Sequence, residues 1–205
     1  MRNILVTSAA FLALTTVATA ETRDLRNFTG VSASDRIEVE VAVGETYRVD
    51  VTGSDASRVT TRIDDGTLII RRTNRPMWGG TPRIDATVHV TMPRVISLAS
   101  SRGAELTAAN VNTRNVELAA AMGGSLRVSG VCTNLDASAS MGGSINAEAL
   151  ECQDADISVS MGGDARVFAS NRYDVSAAMG GSANVAGGGQ SGDISTTMGG
   201  SVATH

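Results

Sequence analysis

The sequence predicts an all-β chain wound as a parallel β-solenoid, and three observations carry that expectation. The first is a repeat. Met-Gly-Gly recurs at Met122, Met141, Met161, Met179 and Met198, in steps of 19, 20, 18 and 19 residues. A fixed period of this length marks a stack of similar coils. The second is alternation around each Met. Leu118, Ala137, Ile157, Val175 and Ile194 stand four residues before it, and Ala120, Ala139, Val159, Ala177 and Thr196 two before. Leu126, Ile145, Ala165, Ala183 and Val202 stand four after it, and Val128, Ala147, Val167, Val185 and Thr204 six after. Small or polar residues separate these columns, which is the period-2 pattern of a half-buried strand. The third is composition. Aromatics are 3% of the chain and Gly numbers 22, which suits closely stacked coils better than a bulky core.

The elements follow in order. Residues 1–20 read as a secretory signal: Arg2, an apolar run from Ile4 to Val17, and Ala18-Thr19-Ala20 as the cleavage site. The run is too short to span a bilayer, and no later segment is long and apolar enough. An exported chain, periplasmic or at the cell surface, is expected. Without Arg2 it carries 16 Arg against 21 acids, a net charge of −5, and there is no lysine. Lysine chemistry is thereby excluded, and a mildly acidic chain without a basic block is a poor nucleic-acid binder.

Residues 21–93 are expected to form irregular β-rich coils of the same domain. Ile37-Glu38-Val39-Glu40-Val41 alternates, Gly44-Glu45 turns, and Tyr47 to Val51 alternates again. Asp64-Asp65-Gly66 reads as a turn before Thr67-Leu68-Ile69-Ile70, and Ile84 to Thr91 as a further strand. The segment Arg75-Pro76-Met77-Trp78 holds the one tryptophan. Trp78 with Arg75 reads either as a plug over the core end or as a ligand loop.

Residues 94–205 are expected to be the regular solenoid. Each coil has a strand, a corner and a second strand. Gly serves the corner because it adopts φ > 0 at little steric cost. Met is read as an apolar filler in an inward column; a thioether ladder for Cu(I) is the sharper alternative. The coil near Ile96 fits the frame with Arg102-Gly103 at its corner.

Cys132 and Cys152 each precede the next Met by nine residues, so they share a column in adjacent coils. Strand spacing places their Cα atoms about 5 Å apart, within disulfide range, and export favours the bridge.

Five residues before each Met stand Glu117, Asp136, Asp156, Asp174 and Asp193. This acidic column falls between inward positions and so points outward, where stacked carboxylates repel. Two readings stay open: a solvated ladder, or a face for a partner or for weakly held Ca²⁺. No other cofactor is indicated. Beside it, Ala119, Ser138, Ser158, Ser176 and Ser195 form a flat strip.

Phe28-Thr29-Gly30-Val31, the Ile37 to Val41 strand with Gly44, and the run from Val59 to Ile70, followed by Gly/Ser-rich coils, resemble the putative auto-transporter adhesin, head GIN domain family. That resemblance implies a right-handed β-helix of the cell envelope, with no catalytic residues to carry over. Met-Gly-Gly departs from the family's usual Gly-Ser-Gly corners.

A non-catalytic envelope module that binds a glycan, a protein or another envelope component is therefore expected. A carbohydrate-active enzyme is weighed below it, because such sites need chemically mixed clusters and these acids are uniform. A self-assembling protein is the third reading. Val202-Ala203-Thr204-His205 leaves the last coil without a cap, an edge that could pair with another copy.

Overall fold

The computed structural model describes residues 20–73 and 83–205. The segment up to Thr19, read from sequence as a secretory signal, and the Trp78 and Arg75 loop lie outside the described residues. Fifteen described strands join in one sheet that winds as a β-solenoid of about 5 turns. They are β1 (Glu21–Arg23), β2 (Gly30–Ala33), β3 (Glu38–Val43), β4 (Arg48–Thr52), β5 (Val59–Asp64), β6 (Thr67–Arg72), β7 (Thr87–Met92) and β8 (Ser97–Ser101). The regular coils hold β9 (Glu105–Ala121), β10 (Ser125–Ser140), β11 (Ser144–Ser160), β12 (Asp164–Ala178), β13 (Ser182–Ala186), β14 (Gln190–Thr197) and β15 (Ser201–Thr204).

The repeat sets the register. In β9 to β12 the four inward columns stack residue on residue: Leu118, Ala137, Ile157 and Val175 pair in sequence, as do Leu126, Ile145 and Ala165. All seven are at most 3% exposed. Each strand runs through two faces. A bend near Gly130 separates them in β10, where the register shifts and an added Cβ would lie 2.0 Å from the Val111 carbonyl oxygen. Burial of each Leu or Ile contributes about 1.5–3 kcal/mol, so a core of small side chains gains its stability by repetition.

The Met column corrects the expectation of an inward filler. Met122, Met141, Met161 and Met179 are 44–52% exposed and Met198 is 81% exposed. Each sits at the second position of a four-residue turn with φ of 48–51°, followed by Gly at φ 72–79°. The third residue beyond the turn start closes it: Gly143 N–H donates to Ser140 C=O at 2.9 Å, and the other corners match. Two successive positive φ angles are the signature of a type I′ turn, and they swing the Met side chain off the edge into solvent. The second Gly has a different cause. A Cβ on Gly143 would fall 2.2 Å from the Ala120 carbonyl oxygen, so only Gly lets the coils approach. Arg102 takes the same corner conformation, φ 52°.

The first strands stack out of chain order. The β2–β3 coil lies between β6–β7 on one side and β8–β9 on the other, all in parallel register. Antiparallel strands then close that end: β5 on β6, β4 on β7 and β1 on β4. The Asp64-Asp65-Gly66 turn joins β5 to β6 with φ of 46° and 70° at its centre, as its sequence predicts. Phe28 is fully buried, its ring centroid 5.0 Å from that of Tyr47.

At the other end, among the described residues, β14 pairs only β12, and β15 pairs only β13. Every residue of β14 is exposed, Ile194 among them at 42%.

Cys132 and Cys152 are direct register partners, with Cα atoms 4.5 Å apart and the disulfide formed.

Candidate functional site

The acidic column exists as a physical row. Asp136 pairs Glu117 on one side and Asp156 on the other, and Asp156 pairs Asp174. All point outward, because the residues flanking each one are the inward columns. The repulsion that stacking creates is handled differently along the row. Asp136 has no counter-charge among the described residues. Partial desolvation, and then the facing Asp156, raise its pKa above the ordinary carboxylate value. Asp174 is neutralised: Arg172 Nε and Nη2 donate to its two oxygens at 3.2 and 3.1 Å. The Asp193 backbone N–H donates to Asp174 Oδ1 at 2.6 Å, and these bonds hold its pKa below the usual range.

The structure adds a second column that the pattern of acids alone does not announce. Two residues before each acid stand Asn115, Asn134, Asp154 and Arg172, again in register. Asn134 Nδ2 donates to Asn115 Oδ1 at 2.7 Å, and Asn171 Nδ2 donates to Asp154 Oδ1 at 2.7 Å. The signal is present in the sequence: the same count from Met that reveals the acids also reveals these amides.

Between the two columns lies the inward row Val116, Leu135, Ala155 and Tyr173, each 2–7% exposed. The three rows make a shallow axial groove with an apolar floor and hydrogen-bonding walls. One stretch of about 340 Å³ is lined by Ile96, Asn115, Val116, Glu117, Leu135 and Asp136. It runs into a cleft of about 550 Å³ bounded by Arg94, Asn112, Thr113 and Arg114. Neither Arg94 nor Arg114 is ion-paired among the described residues. The groove is thus cationic at one end, acidic in the middle and neutralised at Arg172.

His89 sits against Glu40 at 2.9 Å and His205 near Glu148 at 3.5 Å, both away from the groove. Both cysteines are in the disulfide. Among the described residues no cluster of three or more His, Cys, Asp or Glu is placed to hold a metal ion. The flat strip of Ala119, Ser138, Ser158, Ser176 and Ser195 runs beside the acids in register. Of the arginines near the Trp78 loop, Arg83 pairs with Glu105 and Arg72 is 5% exposed.

The family model described as "Putative auto-transporter adhesin, head GIN domain" matches residues 27–189. The chain belongs to that family. No curated protein matches this head GIN domain protein. Among solved structures it is similar to a putative adhesin of Bacteroides fragilis NCTC 9343, with 15% identity and a TM-score of 0.70. The match covers 93% of this chain and 98% of that one. A putative adhesin of Parabacteroides distasonis ATCC 8503 is 15% identical, with a TM-score of 0.48 and coverage of 92% and 97%. At such identity the likeness to the Bacteroides fragilis structure concerns the fold. Family membership fits an exported or surface protein, and the disulfide fits an oxidising compartment. No described helix is long and apolar enough to cross a membrane.

Proposed function

We propose that this head GIN domain protein is an exported, non-catalytic binding module that holds a hydroxyl-rich polymer of the cell envelope along its axial groove. The observation that carries the reading is the groove itself. Amide and carboxylate groups repeat at strand spacing, about 4.8 Å, along an unbranched channel with an apolar floor. Repeated hydroxyls can donate to Asp136 and Asp156 and exchange hydrogen bonds with Asn115 and Asn134. Groups repeated at strand spacing can meet a repeating chain rung by rung.

Co-sedimentation of the purified protein with envelope fractions tests this. A variant carrying Asp136→Asn, Asp156→Asn and Asp174→Asn runs beside it, with and without EDTA. Binding should be lost in the variant and on periodate-oxidised envelopes but kept on protease-treated ones. Loss on protease treatment would point to a protein partner. Loss on EDTA would add a bridging cation such as Ca²⁺. Full binding by the variant would remove the groove from the function.

A second reading rests on β14 and β15, each paired on one side among the described residues. Such an edge can add a strand from a second copy. A concentration-independent monomer mass in sedimentation equilibrium would dismiss it.

A further inference from the structure

The five exposed methionines are the feature that neither the groove nor the fold accounts for. A type I′ turn favours Asn, Asp or Gly at its second position. A larger L-residue there costs roughly 1–2 kcal/mol. The corner can be made without Met, since Arg102 occupies the same conformation one coil earlier. Yet Met stands at all five later corners, while columns that packing constrains vary freely: Leu118, Ala137, Ile157, Val175 and Ile194 share one position. Residues held in strained backbone, repeated and solvent-exposed, point to a use for the side chain.

What repeats is a thioether. The corners are locked coil to coil. Gly123 N–H donates to Met141 C=O, Gly142 to Met161, Gly162 to Met179 and Gly180 to Met198, each at 3.2 Å. The Met Cα atoms therefore rise one strand spacing at a time, about 4.8 Å. Flexible Met side chains on adjacent rungs can therefore bring two sulfurs to one cation from opposite sides. Thioethers are soft donors that select monovalent copper and its like over Ca²⁺ or Mg²⁺. The thiol alternative is spent, because both cysteines are paired. The hard carboxylates lie in a separate column five residues away.

We infer that the Met122, Met141, Met161, Met179 and Met198 ladder is a binding site for a soft monovalent d¹⁰ cation, Cu(I) or Ag(I), bridged between sulfurs of successive coils. The inner rungs Met141, Met161 and Met179 are its centre, because Arg102 stacks a positive charge at the Met122 end.

Silver nitrate in chloride-free buffer is the probe, since Ag(I) needs no reductant and leaves the disulfide intact. Protein labelled with ¹³C at the Met methyls is titrated and followed by NMR. The ladder methyl signals should shift together and saturate, while Met92, fully buried, stays still. X-ray absorption at the silver edge should show sulfur as the first shell. The triple variant Met141→Leu, Met161→Leu and Met179→Leu keeps apolar bulk and removes the inner sulfurs, and it should lose the ion. Unshifted ladder methyls, a nitrogen or oxygen first shell, or undiminished binding by a folded triple variant would overturn the proposal. If the variant fails to fold, the methyl titration and the absorption spectrum decide alone.

Discussion

At the scale of single residues, each corner position answers a different physical demand. Met161 and Gly162 both need positive φ, 49° and 72°, and nothing lies within 4 Å of where a Cβ on Gly162 would stand. Gly163 has ordinary φ but no room, with a Cβ position 2.4 Å from the Ala139 carbonyl oxygen. Three substitutions at one corner should therefore rank clearly. Gly162→Ala should cost about 1 kcal/mol through backbone conformation alone. Gly163→Ala should cost about 3 kcal/mol or more, because the coils must be pushed apart. Met161→Asn should stabilise by up to about 1 kcal/mol, because Asn tolerates the left-handed region. Urea denaturation measures all three, and Gly162→Ala costing more than Gly163→Ala would refute this division of roles. The two Gly requirements were half legible in the sequence: Gly-Gly announced a corner, but only the neighbouring coil shows which Gly is there for space. The direction of Met was not legible. An apolar residue at regular spacing reads as core, and a turn conformation that turns it outward leaves no mark in hydrophobicity.

At the scale of the strand ladder, the acidic column trades stability for charge. Asp136 has a raised pKa, from desolvation first and from Asp156 second. A raised carboxyl pKa means that the folded protein binds a proton more readily than the unfolded chain. Ionised Asp136 therefore costs stability above its folded pKa. That cost disappears below the unfolded value, about 3.9. Asp136→Asn should accordingly raise Tm at pH 7 and have little effect near the bottom of the carboxylate range. Asp174→Asn should do the reverse. Its pKa is lowered, first by the Arg172 hydrogen bonds, so its contribution is present at neutral pH and is lost as pH falls through the folded value. Thermal melts of both variants across acid pH check the pair, and two parallel curves would contradict the assignment. The acids, their outward face and the Cys132–Cys152 register all followed from counting back from Met. The amide column stands at a fixed count from Met as well, yet only the structure, with Val116 and Leu135 as the floor between, makes it a wall.

At the scale of the whole molecule, the two ends of the solenoid differ. One is closed by antiparallel β1, β4 and β5, an arrangement that local alternation does not reveal because alternation is the same in parallel and antiparallel strands. The insertion of β2–β3 between later strands is equally silent in sequence, since register is a property of pairs. The other end is β14 and β15, each paired on one side. In a solenoid each coil is stabilised by its nearest neighbours, so a coil with one neighbour opens at lower free energy than one with two. Backbone amides of β10 and β11, flanked on both sides and tied by the disulfide, should exchange slowest. Those of β14 and β15 should exchange fastest among the strands. Repeating the exchange over a range of protein concentrations then distinguishes local opening from pairing. Protection of β14 that rises with concentration means that the edge is covered by a second copy. Fast exchange at every concentration means that the edge is not covered by a second copy. Slow exchange of β14 in a dilute monomer would break the nearest-neighbour account of the fold's stability.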